Sequence, residues 1–200
     1  MSNSTIPYVH LQVASGFSFK YGSAQPNHLV DRAATFDMPA LALTDRNALA
    51  GAIRFTQSCQ RAGITPIIGC NLEVAPTRKT KAAPTPAKGG NFVENNFSRV
   101  TVMATSQNHG WRNLVKMVSG VEEQLLTHEN FAQHSAGVLL MLGPNSDVGR
   151  ALASRRIDQA KAALNRWREL VQPGSIVIEV VSHLAPGEGE LTTAHAARSL

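Results

Sequence analysis

The sequence predicts an α/β fold, and three observations carry that prediction. First, Ala40 to Thr44 reads as a short buried strand that runs into a polar tip, Asp45-Arg46, and then at once into a helical pattern, Leu49 to Gly63. Second, strand-like and helix-like segments alternate along the whole chain, with six strands in all. Third, each connection is long enough for a crossover, which argues for parallel strands. In folds built from strand–tip–helix units, residues just past the C-terminal ends of the strands face the ligand.

Taken in order, Tyr8 to Ala14 alternates apolar and polar residues and reads as the first strand. Ser15 to Gly22 is a Ser/Gly/aromatic loop. Pro26 opens a helix from its first position, with Leu29, Val30, Ala33 and Ala34 on one face, and Met38-Pro39 ends it. The second strand, Ala40 to Thr44, is followed by a helix over Ala48 to Ala62 that Gly63 stops. Pro66 to Val74 is the third strand.

Residues 75–98 have no period and are rich in Pro, Gly and Asn; a basic loop insertion is expected over about 76–98. Arg99 to Thr105 returns to strand. Asn108 to Val121 is helical, with Trp111, Leu114, Val115 and Val118 inward, and Thr127 caps a short helix to His134, with Asn130 in the capping-box position. Val138 to Leu142 is the fifth strand. Helices follow over Asp147 to Ala153 and Ile157 to Val171, the latter amphipathic through Ala160, Leu164, Trp167 and Leu170-Val171. Pro173-Gly174 breaks the pattern before the sixth strand, Ile176 to Val181, and a last helix begins at Glu190. A helix with no strand after it leaves a sheet edge unpaired. The 200 residues are therefore expected to form one domain that is incomplete at its C-terminus, the start of a longer protein or an incomplete reading frame.

Composition narrows the class. The chain is 43% hydrophobic and 16% charged, with no apolar run of about 18 residues and no signal-peptide pattern, so neither a membrane span nor export is expected. Cys59 and Cys70 match neither a disulfide framework nor a zinc spacing and suit a reducing cytoplasm. A net charge of +5 allows an anionic partner. The one local cluster, Arg78, Lys79, Lys81 and Lys88, is the candidate nucleic-acid contact, set against the plainer reading of a solvated loop. Binding through it would be salt-sensitive and lost when these four become Ala.

If the strands point one way, their tips collect Gln12, Ala14 and Ser15, then Asp45 and Arg46, Asn71 and Glu73, and Glu179 with His183. Hydrolytic metal sites need several converging His and carboxylate ligands. This rim is too poor in them, and Arg46 puts a fixed positive charge where a cation would sit. The plainer reading is a polar cluster around Asp45 and Arg46 that satisfies its own hydrogen bonds.

The segments YVHLQVASGFSFKYGSA, PALALTDRNALAGAIRF, AGITPIIGCNLEVAP, HGWRNLVKMVS and IVIEVVSHLAPG fall in order over nearly the whole chain. Together they resemble the N-terminal polymerase-and-histidinol-phosphatase (PHP) domain of bacterial DNA polymerase III alpha subunits. The resemblance implies a distorted (β/α)7 TIM-like barrel with six strands present and the last missing. The family's HLHxHS reads His10-Leu11-Gln12-Val13-Ala14-Ser15 here, its TDH reads Thr44-Asp45-Arg46, and its IIGCE reads Ile67-Ile68-Gly69-Cys70-Asn71. Metal-ligand positions have thus become Gln12, Ala14, Arg46 and Asn71, while Asp45 and His183 match as vestigial ligands. Alanine cannot coordinate, and neutral amides are weak ligands. Glu73, two positions past Asn71, shares its strand face and is the one residue left open as a replacement for the lost Glu. His10 is read as structural, and His28, His109, His128, His134 and His195 as surface residues.

The resemblance implies a structural scaffold with no catalytic residue and no bound cofactor of its own. The parent would be a DNA-directed DNA polymerase, replicative or error-prone, serving replication or repair in the cytoplasm. Its magnesium and catalytic aspartates would lie on a later palm. Partners implied are palm and thumb in cis, DNA through the parent, and replisome or proofreading subunits. The alternative is a stand-alone metal-dependent PHP phosphoesterase with an altered metal site.

Overall fold

The computed structural model describes residues 8–76, 97–119 and 125–181. They form helices α1 (Pro26–Ala34), α2 (Ala52–Ala62), α3 (His109–Ser119), α4 (His128–His134), α5 (Asp147–Ala153) and α6 (Ile157–Leu170) around a six-stranded sheet. Its strands are β1 (Ala40–Arg46), β2 (Thr65–Val74), β3 (Ser98–Ala104), β4 (Leu125–Leu126), β5 (Val138–Leu142) and β6 (Ile176–Ile178). The spatial order is β1-β2-β3-β5-β6, with β4 on β2.

Local signals place most elements. Pro26 occupies the start of α1, Gly63 closes α2 at φ 70°, and the Thr127 hydroxyl accepts from Asn130 N–H at 3.1 Å to cap α4. The register of β1 on β2, Thr44 beside Gly69 and Asp45 beside Cys70, brings the two polar tips level. On α3 the buried positions are Gly110, Leu114 and Met117, a face rotated from the expected one; Trp111, Val115 and Val118 are half-buried.

Two features depart from the sequence reading. Tyr8 to Ala14 is not a ladder strand; it follows the edge of β1 through Ala42 N–H donating to His10 O (3.0 Å) and Thr44 N–H to Val13 O (2.8 Å). The sixth strand is instead the two-residue β4, too short to have a period. The strands are also not all parallel: β3 is antiparallel to both β2 and β5, whereas β1–β2 and β5–β6 are parallel. A parallel return needs a crossover, usually a helix. The sequence between Val74 and Ser98 has no helical period, so the chain re-enters the sheet from the end at which it left. β3 therefore brings its N-terminal residues, not its C-terminal ones, to the end where the tips of β1, β2, β5 and β6 gather.

The core lies beside the sheet in two clusters. The larger sets Trp167 of α6 and Phe131 of α4 against Leu72, Val102, Leu140 and Leu142; the smaller sets Phe55 of α2 and Val30 of α1 against Leu41 and Leu43. Cys59 and Cys70 lie fully inside, where burial pushes their thiols up to about 11 and about 12, so both stay protonated and inert at neutral pH.

His128, expected at the surface, stacks on Trp167 with ring centroids 4.4 Å apart, and its Nε2 is buried without a hydrogen-bond partner. Burial holds its pKa below the usual histidine value, against the pull of Asp147. The folded imidazole thus resists protonation that the unfolded chain accepts near pH 6.5, so its stabilising contribution is present above that pH and lost below it. The urea midpoint is expected to fall between pH 7.5 and 5.5. In His128→Phe, which keeps the aromatic stack, that fall should be smaller; an unchanged pH slope would refute the assignment.

Candidate functional site

The mouth is built first around Asp45. β1 ends on it, and the loop after Ala14 folds back over it: Ser15 N–H and Ser18 Oγ–H donate to Oδ1, each at 2.6 Å, and Ser15 Oγ–H donates to Oδ2 at 2.8 Å. Ser18 Oγ in turn accepts from the Arg46 backbone N–H at 2.9 Å. All three side chains are buried, Asp45 to 1% exposure. The loop holds this shape because Gly22 lies against the Ser15 carbonyl, where any Cβ would collide with backbone. Both oxygens of Asp45 are therefore committed inward, and the carboxylate does not line the open mouth.

The second group centres on Arg99, at the mouth because β3 is reversed. Its Nη1 pairs with Glu73 Oε1 at 2.5 Å, Nε donates to Asn71 Oδ1 at 2.6 Å, and Nη2 donates to Asn71 O at 3.1 Å and Asn47 Oδ1 at 3.3 Å. Asn47 Oδ1 also accepts from Glu73 N–H at 3.0 Å, and Asn71 Nδ2 donates to Thr101 Oγ1 at 2.9 Å. Burial lowers the pKa of Arg99, Glu73 raises it, and Arg46 lowers it again, so the two guanidiniums sense each other.

Across the mouth, Gln12 Nε2 donates to Glu179 Oε2 at 2.9 Å. Burial pushes the Glu179 carboxyl above its usual range, partly offset by that hydrogen bond. Arg46 lays its guanidinium over the Tyr21 ring, 3.4 Å from the centroid. Gln12, Arg46, Asn71, Arg99, Asn145 and Glu179 are among the walls of an open cavity of about 520 Å³.

The tip positions singled out in the sequence thus divide. Gln12, Ala14, Arg46 and Asn71 gather around one cavity, and Asp45 lies beneath it, turned to the serines. Glu73 faces Arg99 instead of standing in for a lost ligand. His183 and the basic set Arg78, Lys79, Lys81 and Lys88 lie outside the described residues. Arg99, Ser15 and Ser18 were not recognised as a network in the sequence. The missing helical period between Val74 and Ser98 was the signal that could have brought Arg99 to this end.

A family model for the PHP domain matches residues 10–183. The chain belongs to the PHP domain family. Similar curated proteins include the DNA polymerase III subunit alpha of Mycobacterium tuberculosis, 29% identical over 91% of this chain but 16% of that protein. The alpha subunit of Buchnera aphidicola is 26% identical over 86% of this chain and 14% of its own length. An error-prone DNA polymerase of Symbiobacterium thermophilum is 29% identical over 94% and 17%. The chain thus spans about a sixth of the length of these relatives.

Among solved structures, this PHP domain has the fold of a Chromobacterium violaceum amidohydrolase described with bound SO4 and no metal (TM-score 0.56, 15% identity, 96% of this chain and 83% of that one). A putative metal-dependent phosphoesterase of Bifidobacterium adolescentis is similar too (TM-score 0.55, 13% identity, 96% and 82%). The mixed α/β sheet and these likenesses agree with a distorted TIM-like barrel.

Whether the mouth suits the metals named for such neighbours can be judged from its donors. Among the described residues no three His, Cys, Asp or Glu side chains converge so as to hold an ion. Asp45 is saturated by hydroxyl and backbone donors, Glu73 is paired with Arg99, and Arg46 faces the space where a cation would be needed. Among the described residues this donor set does not fit a metal cluster.

Proposed function

We propose that this PHP domain is the leading domain of a DNA polymerase III alpha-like, DNA-directed DNA polymerase, and that it serves as a scaffold with a degenerate metal site. The observation that carries the reading is the state of Asp45: the carboxylate that the family uses as a ligand is consumed by Ser15 and Ser18. The Arg99–Glu73–Asn71–Asn47 network then ties β1, β2 and β3 together at the end where ions would otherwise cross-link them. Relatives six times as long support the presence of further domains in cis, with magnesium-dependent nucleotidyl transfer on a later palm. Phe36 and Ile53, 57% and 70% exposed, give apolar surface for packing on a thumb or palm. Proofreading or replisome subunits and DNA would be reached through the parent, in the cytoplasm. The basic stretch at about 76–98 is, in this reading, an insertion in the domain.

The competing reading, a stand-alone phosphoesterase, is favoured by the phosphoesterase described among the structural neighbours. Elemental analysis of the purified chain, with turnover of a chromogenic phosphodiester in added Mn²⁺ or Zn²⁺, separates the two. The scaffold reading expects substoichiometric metal and no turnover above buffer. Tightly held stoichiometric metal with turnover would replace it by the phosphoesterase reading.

A further inference from the structure

We propose that the groove between α2 and α3, at the end of the sheet away from the mouth, docks an acidic amphipathic helix of a partner protein. The inference refines the scaffold reading: it gives Ile53 and the groove behind it to that partner and leaves Phe36 for packing in cis.

The groove follows from the reversed β3. In a parallel pair, the crossover helix covers the joint between its two strands. β2 and β3 are antiparallel neighbours, and among the described residues no helix connects them. Towards the mouth, Leu114 and Met117 of α3 pack with Cys70, Leu72, Val100 and Val102 on the outer face of these strands. At the other end, Pro66 and Ile68 of β2 and Ala104 of β3 are left as the floor of an open cavity of about 590 Å³, with Ile53 of α2 and Trp111 of α3 on its sides. Ile53 is 70% exposed, and Ile68, Ala104 and Trp111 are each only half-buried. The rest of the wall is uncharged, from Thr56 and Gln57 to Ser106 and Gln107. A cavity of this size takes several large apolar side chains. An amphipathic helix laid along it would fill the place that a crossover helix holds in a parallel pair.

Charge selects the occupant. Residues 48–72 and 98–119 contain no Asp or Glu. Arg54 and Arg61 stand one turn before and one turn after Gln57 on α2; Arg112 follows Trp111 on α3, and Lys116 lies a turn beyond it. All four are exposed, and none is in an ion pair among the described residues. An apolar floor between two sets of unpaired cations is complementary to a helix with Leu-like residues on one face and Asp or Glu along its flanks. It is the inverse of a nucleic-acid track, where the groove itself carries the positive charge. A second copy of the chain would bring cation against cation. Unpaired rim charge also speeds diffusional encounter, which serves a partner arriving from solution and adds little for a domain already tethered.

The test is fluorescence anisotropy of rhodamine-labelled helical peptides titrated with the 200-residue chain. One peptide carries Leu on one face and Glu on the other; the second has Lys in place of every Glu. Expected is saturable, salt-sensitive binding of the Glu peptide, with the Lys peptide weaker by roughly tenfold or more. Ile53→Asp should weaken the Glu peptide roughly tenfold. Arg61→Glu combined with Arg112→Glu should weaken it similarly and strengthen the Lys peptide, whereas Arg168→Glu on α6 should change neither. All four positions are exposed, and thermal melts confirm that the variants are folded. No saturable binding of the Glu peptide, equal binding of both peptides, or binding that Ile53→Asp leaves unchanged overturns the proposal. A labelled single-stranded oligonucleotide that binds the chain and is released by the double substitution would overturn it in favour of nucleic acid. A dimer that Ile53→Asp dissociates in sedimentation would overturn it in favour of a second copy. Each of these results leaves the metal-free scaffold reading standing; that reading fails on stoichiometric metal with turnover, which peptide binding does not touch.

Discussion

Asp45→Ala is expected to lower the unfolding free energy by about 3–5 kcal/mol, because it leaves three buried donors without their acceptor. The substitution removes the acceptor of Ser15 N–H, Ser15 Oγ–H and Ser18 Oγ–H, all buried. A buried donor left unsatisfied costs about 1–3 kcal/mol. The loop between Ala14 and Gly22 can recover part of this only by lifting away from β1. Asp45→Asn should cost less, about 1–2 kcal/mol, because one amide oxygen still accepts while the NH2 opposes a donor. Urea denaturation with and without EDTA reads the result. The same loss in both conditions is the signature of a structural carboxylate; a loss seen only without EDTA would mean that Asp45 holds metal.

The second large effect is expected at Arg99. Arg99→Met should cost about 2–4 kcal/mol, close to the loss on removing one partner of a buried pair. It strips Glu73 of its counter-charge and Asn71 and Asn47 of a shared donor, at the junction of β2 and β3. Glu73→Gln alone should cost less, because the amide oxygen still accepts from Arg99. The double variant should fall short of the sum of the singles by about 0.5–3 kcal/mol, the range for residues in one network. Strict additivity in chemical denaturation would mean that the pair is not coupled.

These residues also mark what could be read from the sequence. Asp45 and Arg46 at a strand tip, Gly63 at a helix end and the Thr127 cap are local features, set by residues within a turn of each other, and the structure keeps all of them. The α/β class followed from the same local periods. The direction of β3 did not, because a strand's pattern is the same read either way; only its connection distinguishes the two, and the stretch after Val74 is long enough for a crossover but has no helical period. With β3 reversed, Arg99 moved from the far end of the sheet to the mouth. The serine shell of Asp45 was out of reach for another reason: Ser15 and Ser18 lie 30 and 27 residues from it, and nothing in a loop of small polar residues says which carboxylate it will cover. Similarly, Tyr8 to Ala14 alternates like a strand, but it is held at only a few points along β1.

That loose hold has a consequence for solubility. The segment through His10 and Val13 shields the outer rim of β1, whose central residues Leu41, Ala42 and Leu43 are apolar and buried. If it were clipped off, the sheet would present a bare, greasy border able to recruit the same border of another molecule. A protease nick after Ala14 would thus make the domain a seed for oligomers while leaving most of the interior intact.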